Sequence, residues 1–178
     1  MRRKIFLITI IVSVIIYISR VTYINISSEG FRVETDTYSM GDSIYLDEFL
    51  YNMHSFKLLN KDELNNQYGI DTHDDSDKTV YILGEIEIKY IGNSDEIIAP
   101  VRYGTFESYS WKNGMDNKIF NELNDNNMVF SKDEIKNIFV ISKAVTAQFS
   151  DSEWKNVNNR HYYFVLDTYP RKVQIKCQ

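Results

Sequence analysis

The stretch "KTVYILGEIEIKY", residues 78–90, constrains the fold more than any other part of the chain. Val80, Ile82, Gly84, Ile86, Ile88 and Tyr90 fall on one side, and Thr79, Tyr81, Leu83, Glu85, Glu87 and Lys89 on the other. That period of two is the pattern of a half-buried strand. Gly92-Asn93 then turns the chain, and a return strand through Ile97 and Ile98 ends at Pro100, which has no amide to donate. The expectation is a long antiparallel hairpin with one wet face, a unit of sandwiches rather than of parallel sheets.

The rest of the sequence repeats this style. "TYSMGDSIYLDEF" turns at Gly41-Asp42 before an apolar run, and "FLYNMHSFKLL" follows close to period two. "KDELNNQYG" has helix formers and a terminal Gly69 but no convincing buried stripe, so it reads as a surface excursion of a turn or two of helix. "VRYGTFESYSW" alternates loosely, "NELNDNNM" is a turn cluster, and "NIFVISKAVTAQF" has strand character. In "SDSEW", Ser150 precedes Glu153 by three, the spacing of a capping box. "HYYFVLDTYPRKVQIKC" reads as two strands broken at Pro170, with Tyr162, Phe164 and Leu166 on one face of the first and Val173, Ile175 and Cys177 on one face of the second. Hydrophobic residues make up 43% and aromatics 14%, enough for a real core and against disorder. Seven to nine strands at regular spacing predict a mainly β fold, an immunoglobulin-like antiparallel β-sandwich.

Ahead of this body stands "RRKIFLITIIVSVIIYISR". Its apolar side chains are Ile5, Phe6, Leu7, Ile8, Ile10, Ile11, Val12, Val14, Ile15, Ile16, Tyr17 and Ile18. As a helix, Ile5 to Ile18 measures about 21 Å, short of the ~30 Å hydrocarbon layer and close to a signal-peptide core. Against cleavage, "YISRVTYINISS" offers no small residues at a cut site. Val21, Tyr23, Ile24 and Ile26 extend the apolar run, so a helix from Ile5 to about Ile26 spans if Arg20 snorkels to the interface. The reading is one N-terminal transmembrane helix over residues 1–27, an uncleaved signal anchor, with a cleaved signal as the alternative. Arg2, Arg3 and Lys4 then mark the cytoplasmic side and send residues 28–178 outside as a single extracellular domain of a single-pass membrane protein.

The first twenty residues hold four basic residues and no acid, which leaves 16 of the 20 basic residues against all 25 acids, a formal −9 for the remainder. Such a body repels phosphate backbones, and nucleic acid is excluded as a partner.

The membrane segment together with "YSMGDSIYL", "VYILGEIEIKYIGNSDEIIAP", "FSDSEW" and "FVLDTYPRKVQIK" is similar to an uncharacterised family of small membrane-anchored surface proteins of low-GC Gram-positive bacteria. The resemblance covers roughly residues 31–178 and implies a telokin-like, immunoglobulin-like extracellular domain. It implies no activity and no catalytic residues.

Chemistry is sparse. "DTHDDSD", Asp71 to Asp77, concentrates four acids and His73, but Ser76 stands where a calcium loop needs Gly and Ile82 where it needs the closing Glu. It reads as a solvated loop, and no metal or cofactor is expected. His54, His73 and His161 share no ligand spacing. With seven Gly in all, phosphate cradles are improbable. Cys177 is the single cysteine, so no internal disulfide forms. Cys177, His161 and Arg171 together suggest a cell-surface Cys-dependent hydrolase or transpeptidase, although Cys177 is penultimate, where chains fray. Tyr103, Phe106, Tyr109 and Trp111 form a candidate binding patch for stacking on a glycan or partner, with core packing as the bland alternative. The functional expectation is a membrane-tethered extracellular, non-catalytic interaction module for a protein, peptide or wall polymer, with the Cys-dependent enzyme as the alternative.

Overall fold

The computed structural model describes residues 10, 12–23, 33–74, 77–94, 96–125 and 128–178. The chain divides into two units, Met1–Glu34 and Thr35–Gln178. In the first, residues 12–23 form helix α1, and Ile10, Val12, Val14, Ile15, Ile16, Tyr17 and Ile18 are exposed. Ile5, Phe6, Leu7, Ile8 and Ile11 of the expected anchor lie outside the described residues. Among the described residues, no helix is long and apolar enough to cross a membrane.

The second unit is mainly β. Its strands are β1 (Thr35–Ser39), β2 (Ile44–Leu46), β3 (Phe49–Leu59), β4 (Thr79–Tyr90), β5 (Ile97–Ile98), β6 (Thr105–Ser108), β7 (Trp111–Gly114), β8 (Val129–Phe130), β9 (Ile135–Val145), β10 (Tyr163–Asp167) and β11 (Lys172–Lys176). The count passes the expected seven to nine because β2, β5 and β8 are only two or three residues long. Among the described residues, short α-helices interrupt them: α2 (Lys61–Tyr68), α3 (Asn117–Leu123) and α4 (Asp151–Trp154).

A five-stranded sheet runs β1-β11-β10-β6-β7, a four-stranded sheet runs β2-β3-β4-β9, and β5 and β8 form a small ribbon. Among the described residues every pairing is antiparallel except β1 with β11. The two larger sheets share one apolar core, as in a sandwich. Phe56 of β3 meets Phe106 of β6 with ring centroids 6.3 Å apart, and Phe106 meets Phe164 of β10 at 5.0 Å. Gly84 of β4 lets this packing close: a Cβ there would stand 2.9 Å from Met53 Cε and 3.0 Å from Val140 Cγ2, with Phe106 beyond.

The alternation of "VYILGEIEIKY" places the faces of residues 85–90 correctly, but its hairpin partner is different. β4 lies between β3 and β9 along its length, so no edge remains for residues 97–98. Ile97 and Ile98 pair instead with Phe130 and Val129 of β8, and Pro100 opens a 3-10 turn. The first half of β4 is buried on both faces: Thr79, Tyr81 and Leu83 are covered as well as Ile82 and Gly84. The segment before β4 lies over that second face, where the Tyr81 hydroxyl is 2.8 Å from both Thr72 Oγ1 and Asp74 Oδ2.

The "KDELNNQYG" excursion is α2, and it does have a buried residue, Leu64. Asn60 and Glu63 form a reciprocal capping box at 2.9 and 2.8 Å, and Gly69 closes the helix at φ 72°. The start of "NELNDNNM" is not a turn but the end of α3, which Asp116 caps by accepting from the Ile119 amide at 3.3 Å. At "SDSEW", the Ser150 amide and hydroxyl donate to Glu153 at 3.0 and 2.7 Å, and α4 follows. The strands on either side of Pro170 are β10 and β11, with Tyr162, Phe164, Ile175 and Cys177 buried.

Candidate functional site

The hairpin between β6 and β7 has a two-residue loop, Tyr109-Ser110, because Ser108 pairs with Trp111. Tyr109 takes φ 52°, a left-handed conformation that such loops usually give to Gly, Asn or Asp. Its side chain is 77% exposed. A bulky residue in that region is an outlier that the surroundings must hold in place.

What holds it is Arg160, which follows the 3-10 turn Val157–Asn159 and is only 7% exposed. Its guanidinium lies between two rings, 5.1 Å from the centroids of both Tyr109 and Phe149. Its Nε donates to Ser108 Oγ at 3.1 Å and its Nη2 to the Ser108 carbonyl at 3.2 Å. Its Nη1 is 3.8 Å from Glu153 Oε1. The turn that delivers Arg160 is itself pinned, since the buried Tyr162 hydroxyl donates to the Val157 carbonyl at 2.9 Å. Phe149 continues the stack, 6.0 Å from Trp111 and 5.8 Å from Trp154.

Hollows open on both sides of Tyr109. One, about 630 Å³, is lined by Tyr109, Ser152, Glu153, Asn156, Asn159 and Arg160. The other, about 340 Å³, is lined by Glu107, Tyr109, His161, Tyr163, Lys172 and Gln174. In the second, Glu107 is paired with Lys112 at 3.0 Å and with Lys172. Burial pushes the Glu107 carboxyl upward, but hydrogen bonds from the two lysines outweigh it and hold the group below its usual range. In the first, the Ser150 amide and hydroxyl, and then Arg160, hold Glu153 below its usual range. Both carboxylates are therefore ionised near neutral pH.

The four aromatics of the expected binding patch do not share a surface. Phe106 is fully buried and Trp111 nearly so, because the inward side of β6 carries Phe106 and the indole packs on Phe149 while its Nε1 donates to Gln148 at 3.1 Å. Tyr103 is exposed, 5.4 Å from the Arg102 guanidinium carbon. Tyr109 alone of the four lines a hollow described above. Arg160, Asn156 and Asn159 carry no local signal in the sequence, and Glu153 carries only that of a capping box with Ser150.

Cys177, His161 and Arg171 are engaged separately. The Cys177 thiol is buried 3.7 Å from Met53 Sδ, and burial pushes it up to about 12. His161 Nδ1 is 3.0 Å from the Gln178 carbonyl, and Arg171 bonds Asp36 at 3.1 Å. Among the described residues no cluster of three metal-ligating side chains occurs. Asp74 of the acidic loop is bonded to Lys143 at 2.9 Å and to the Tyr81 hydroxyl.

No family model matches the sequence, and no curated protein matches it. The chain is similar to two solved structures. One is a conserved hypothetical protein from Bacillus anthracis, at 12% identity and TM-score 0.48, over 76% of this chain and 94% of that one. The other is an uncharacterised β-sandwich protein from Clostridium difficile 630, at 14% identity and TM-score 0.46, over 83% of this chain and 98% of that one.

Proposed function

We propose that this protein is a membrane-tethered, extracellular, non-catalytic binding module of immunoglobulin-like connectivity that engages its partner around Tyr109. The observation that carries the reading is a bulky, exposed aromatic held rigidly in a disfavoured backbone conformation between two hollows. Rigid aromatics with a polar tip give contact area at low entropic cost. The connectivity is supported by strand order: β4 and β9 pair in one sheet while β6, β10 and β11 adjoin in the other, the relation of strands B and E to C, F and G. The tether is supported by an apolar N-terminal segment flanked by Arg2, Arg3 and Lys4, whose described helical side chains are exposed.

Two measurements test this. Protease shaving of intact expressing cells should remove residues after about 27 while a short membrane-bound stub survives fractionation. A mature species in the medium lacking that segment, or a shaving-resistant chain, defeats the tether. Retention of the full chain on isolated cell envelopes should fall at least about tenfold in Tyr109→Ala, the loss of one good aromatic contact. Undiminished retention would remove Tyr109 from the reading.

A further inference from the structure

We propose that the larger hollow beside Tyr109 binds an uncharged saccharide, a step that rests on the binding-module reading above and names its ligand class. The hollow presents one aromatic ring and five polar side chains, with no aliphatic residue among its lining. Those polar groups supply both donors and acceptors. Arg160 Nη1 faces Glu153 Oε1 at 3.8 Å, longer than a hydrogen bond. The Glu153 carboxylate is 45% exposed, and Asn159 is exposed at the rim beside it. Asn156 Nδ2 donates to the Ser152 carbonyl at 2.9 Å, which orients the amide at the rim. Sugar hydroxyls donate and accept at once, and they are matched by a rim that does both. The volume of about 630 Å³ falls in the range of small-ligand sites, roughly 300–1,000 Å³.

Charge decides which saccharide. Arg160 and Glu153 cancel within the hollow, and the body beyond residue 20 is strongly acidic. An anionic ligand meets Glu153 and that surrounding field; a cationic one meets Arg160. A neutral ligand meets neither penalty. A peptide is less well served, since peptide docking uses unpaired strand edges or apolar pockets for side chains, and this rim consists of polar side chains around a single ring.

The test uses the full chain, ¹⁵N-labelled, in micelles of a detergent without a sugar headgroup. It is titrated with cellotetraose, chitotetraose, an acidic oligosaccharide (tetragalacturonate), inorganic phosphate and a neutral tetrapeptide. Saturable shifts of the Tyr109, Asn159 and Arg160 amides with at least one neutral oligosaccharide are expected. Tyr109→Ala and Asn159→Ala should each weaken that binding about tenfold, as loss of an aromatic platform or a hydrogen-bonding amide does, with thermal unfolding little changed. Glu153→Gln, which leaves Arg160 unopposed, should keep neutral-sugar binding and add binding of tetragalacturonate, an outcome that a purely structural Glu153 would not give. No shift with either neutral sugar, shifts confined to other residues, or binding of phosphate or tetragalacturonate alone would overturn the proposal. Shifts at these amides with the peptide alone would also overturn it, while Tyr109-dependent envelope retention would leave the binding-module reading in place. Loss of that retention dependence would bring down both.

Discussion

Asn124 acts as a piece of β-strand made from a side chain. It sits past the end of α3, only 9% exposed, against the outer edge of β9. Its Oδ1 accepts from the Phe139 amide at 2.8 Å, and its Nδ2 donates to the Phe139 carbonyl at 2.8 Å and to the Phe120 carbonyl at 2.8 Å. Asn124→Ala removes all three bonds and leaves two backbone groups of Phe139 without their partner. At a net 0.5–1.5 kcal/mol per bond, the loss should be about 3 kcal/mol, a large part of the 5–15 kcal/mol typical of a domain. Urea denaturation followed by tryptophan fluorescence should show a lower midpoint at unchanged slope, and the Phe139 amide should exchange much faster. The exposed edge should also make association concentration-dependent. Asn124→Asp is the control: it keeps the acceptor for the Phe139 amide but sets carboxylate oxygens against two carbonyls, so it should be no better than Ala. A loss below about 0.5 kcal/mol with Phe139 still protected would refute the argument, because such a value lies at the floor for a single bond.

Three further outcomes follow from the packing and the charges. Cys177, buried and with its thiol pushed up to about 12, should resist a disulfide reagent at pH 8 in the native protein and react fully once unfolded, as followed by absorbance. Asp74 is held low first by its hydrogen bond from Lys143, and Lys143 is held high first by Asp74. A lowered carboxyl contributes stability above its free value near ~3.9 and loses it as pH falls, while a raised lysine contributes below ~10.4 and loses it as pH rises. Asp74→Asn should therefore flatten both limbs of a plot of unfolding midpoint against pH while leaving its shape between them. Gly84→Ala should cost about 1–3 kcal/mol in urea denaturation, since Val140 and Met53 must both give way at the centre of the sandwich.

The sequence is most legible where one local rule governs one segment. Period two assigned the faces of residues 85–90 correctly, Ser150 and Glu153 stood at capping distance, and Pro170 divided the last two strands. Periodicity reports which face a strand buries but not which neighbour it pairs with, so it offers Ile97 and Ile98 as partners of β4 although β3 and β9 already occupy both of its edges. The same rule missed the burial of Thr79 and Tyr81, because the cover comes from a separate segment with its own sequence. The site was harder still. A left-handed Tyr109 has no signature when the loop reads Tyr-Ser instead of Asn-Gly, and Arg160 gains its meaning only from Ser108, 52 residues away in the chain.

The sheet edges narrow how such a module can recognise anything. β9 is the longest outer strand, and its backbone is closed along much of its length: Asn124 takes Phe139, the Asp116 amide takes the Ile141 carbonyl, Asn113 takes the Lys143 carbonyl, and Gln148 takes the Val145 amide. The other outer strands, β2, β7 and β1, run three, four and five residues. Short or capped edges are how β proteins avoid pairing with stray strands. At the strands that end the two larger sheets, a partner that added a strand would have to displace side-chain caps on β9 or make do with a few ladder bonds, and strand addition draws its affinity from those bonds. Recognition by side chains avoids both costs, and Tyr109, exposed in a left-handed turn with its ring 5.1 Å from a buried arginine at the mouth of a hollow, is placed for it.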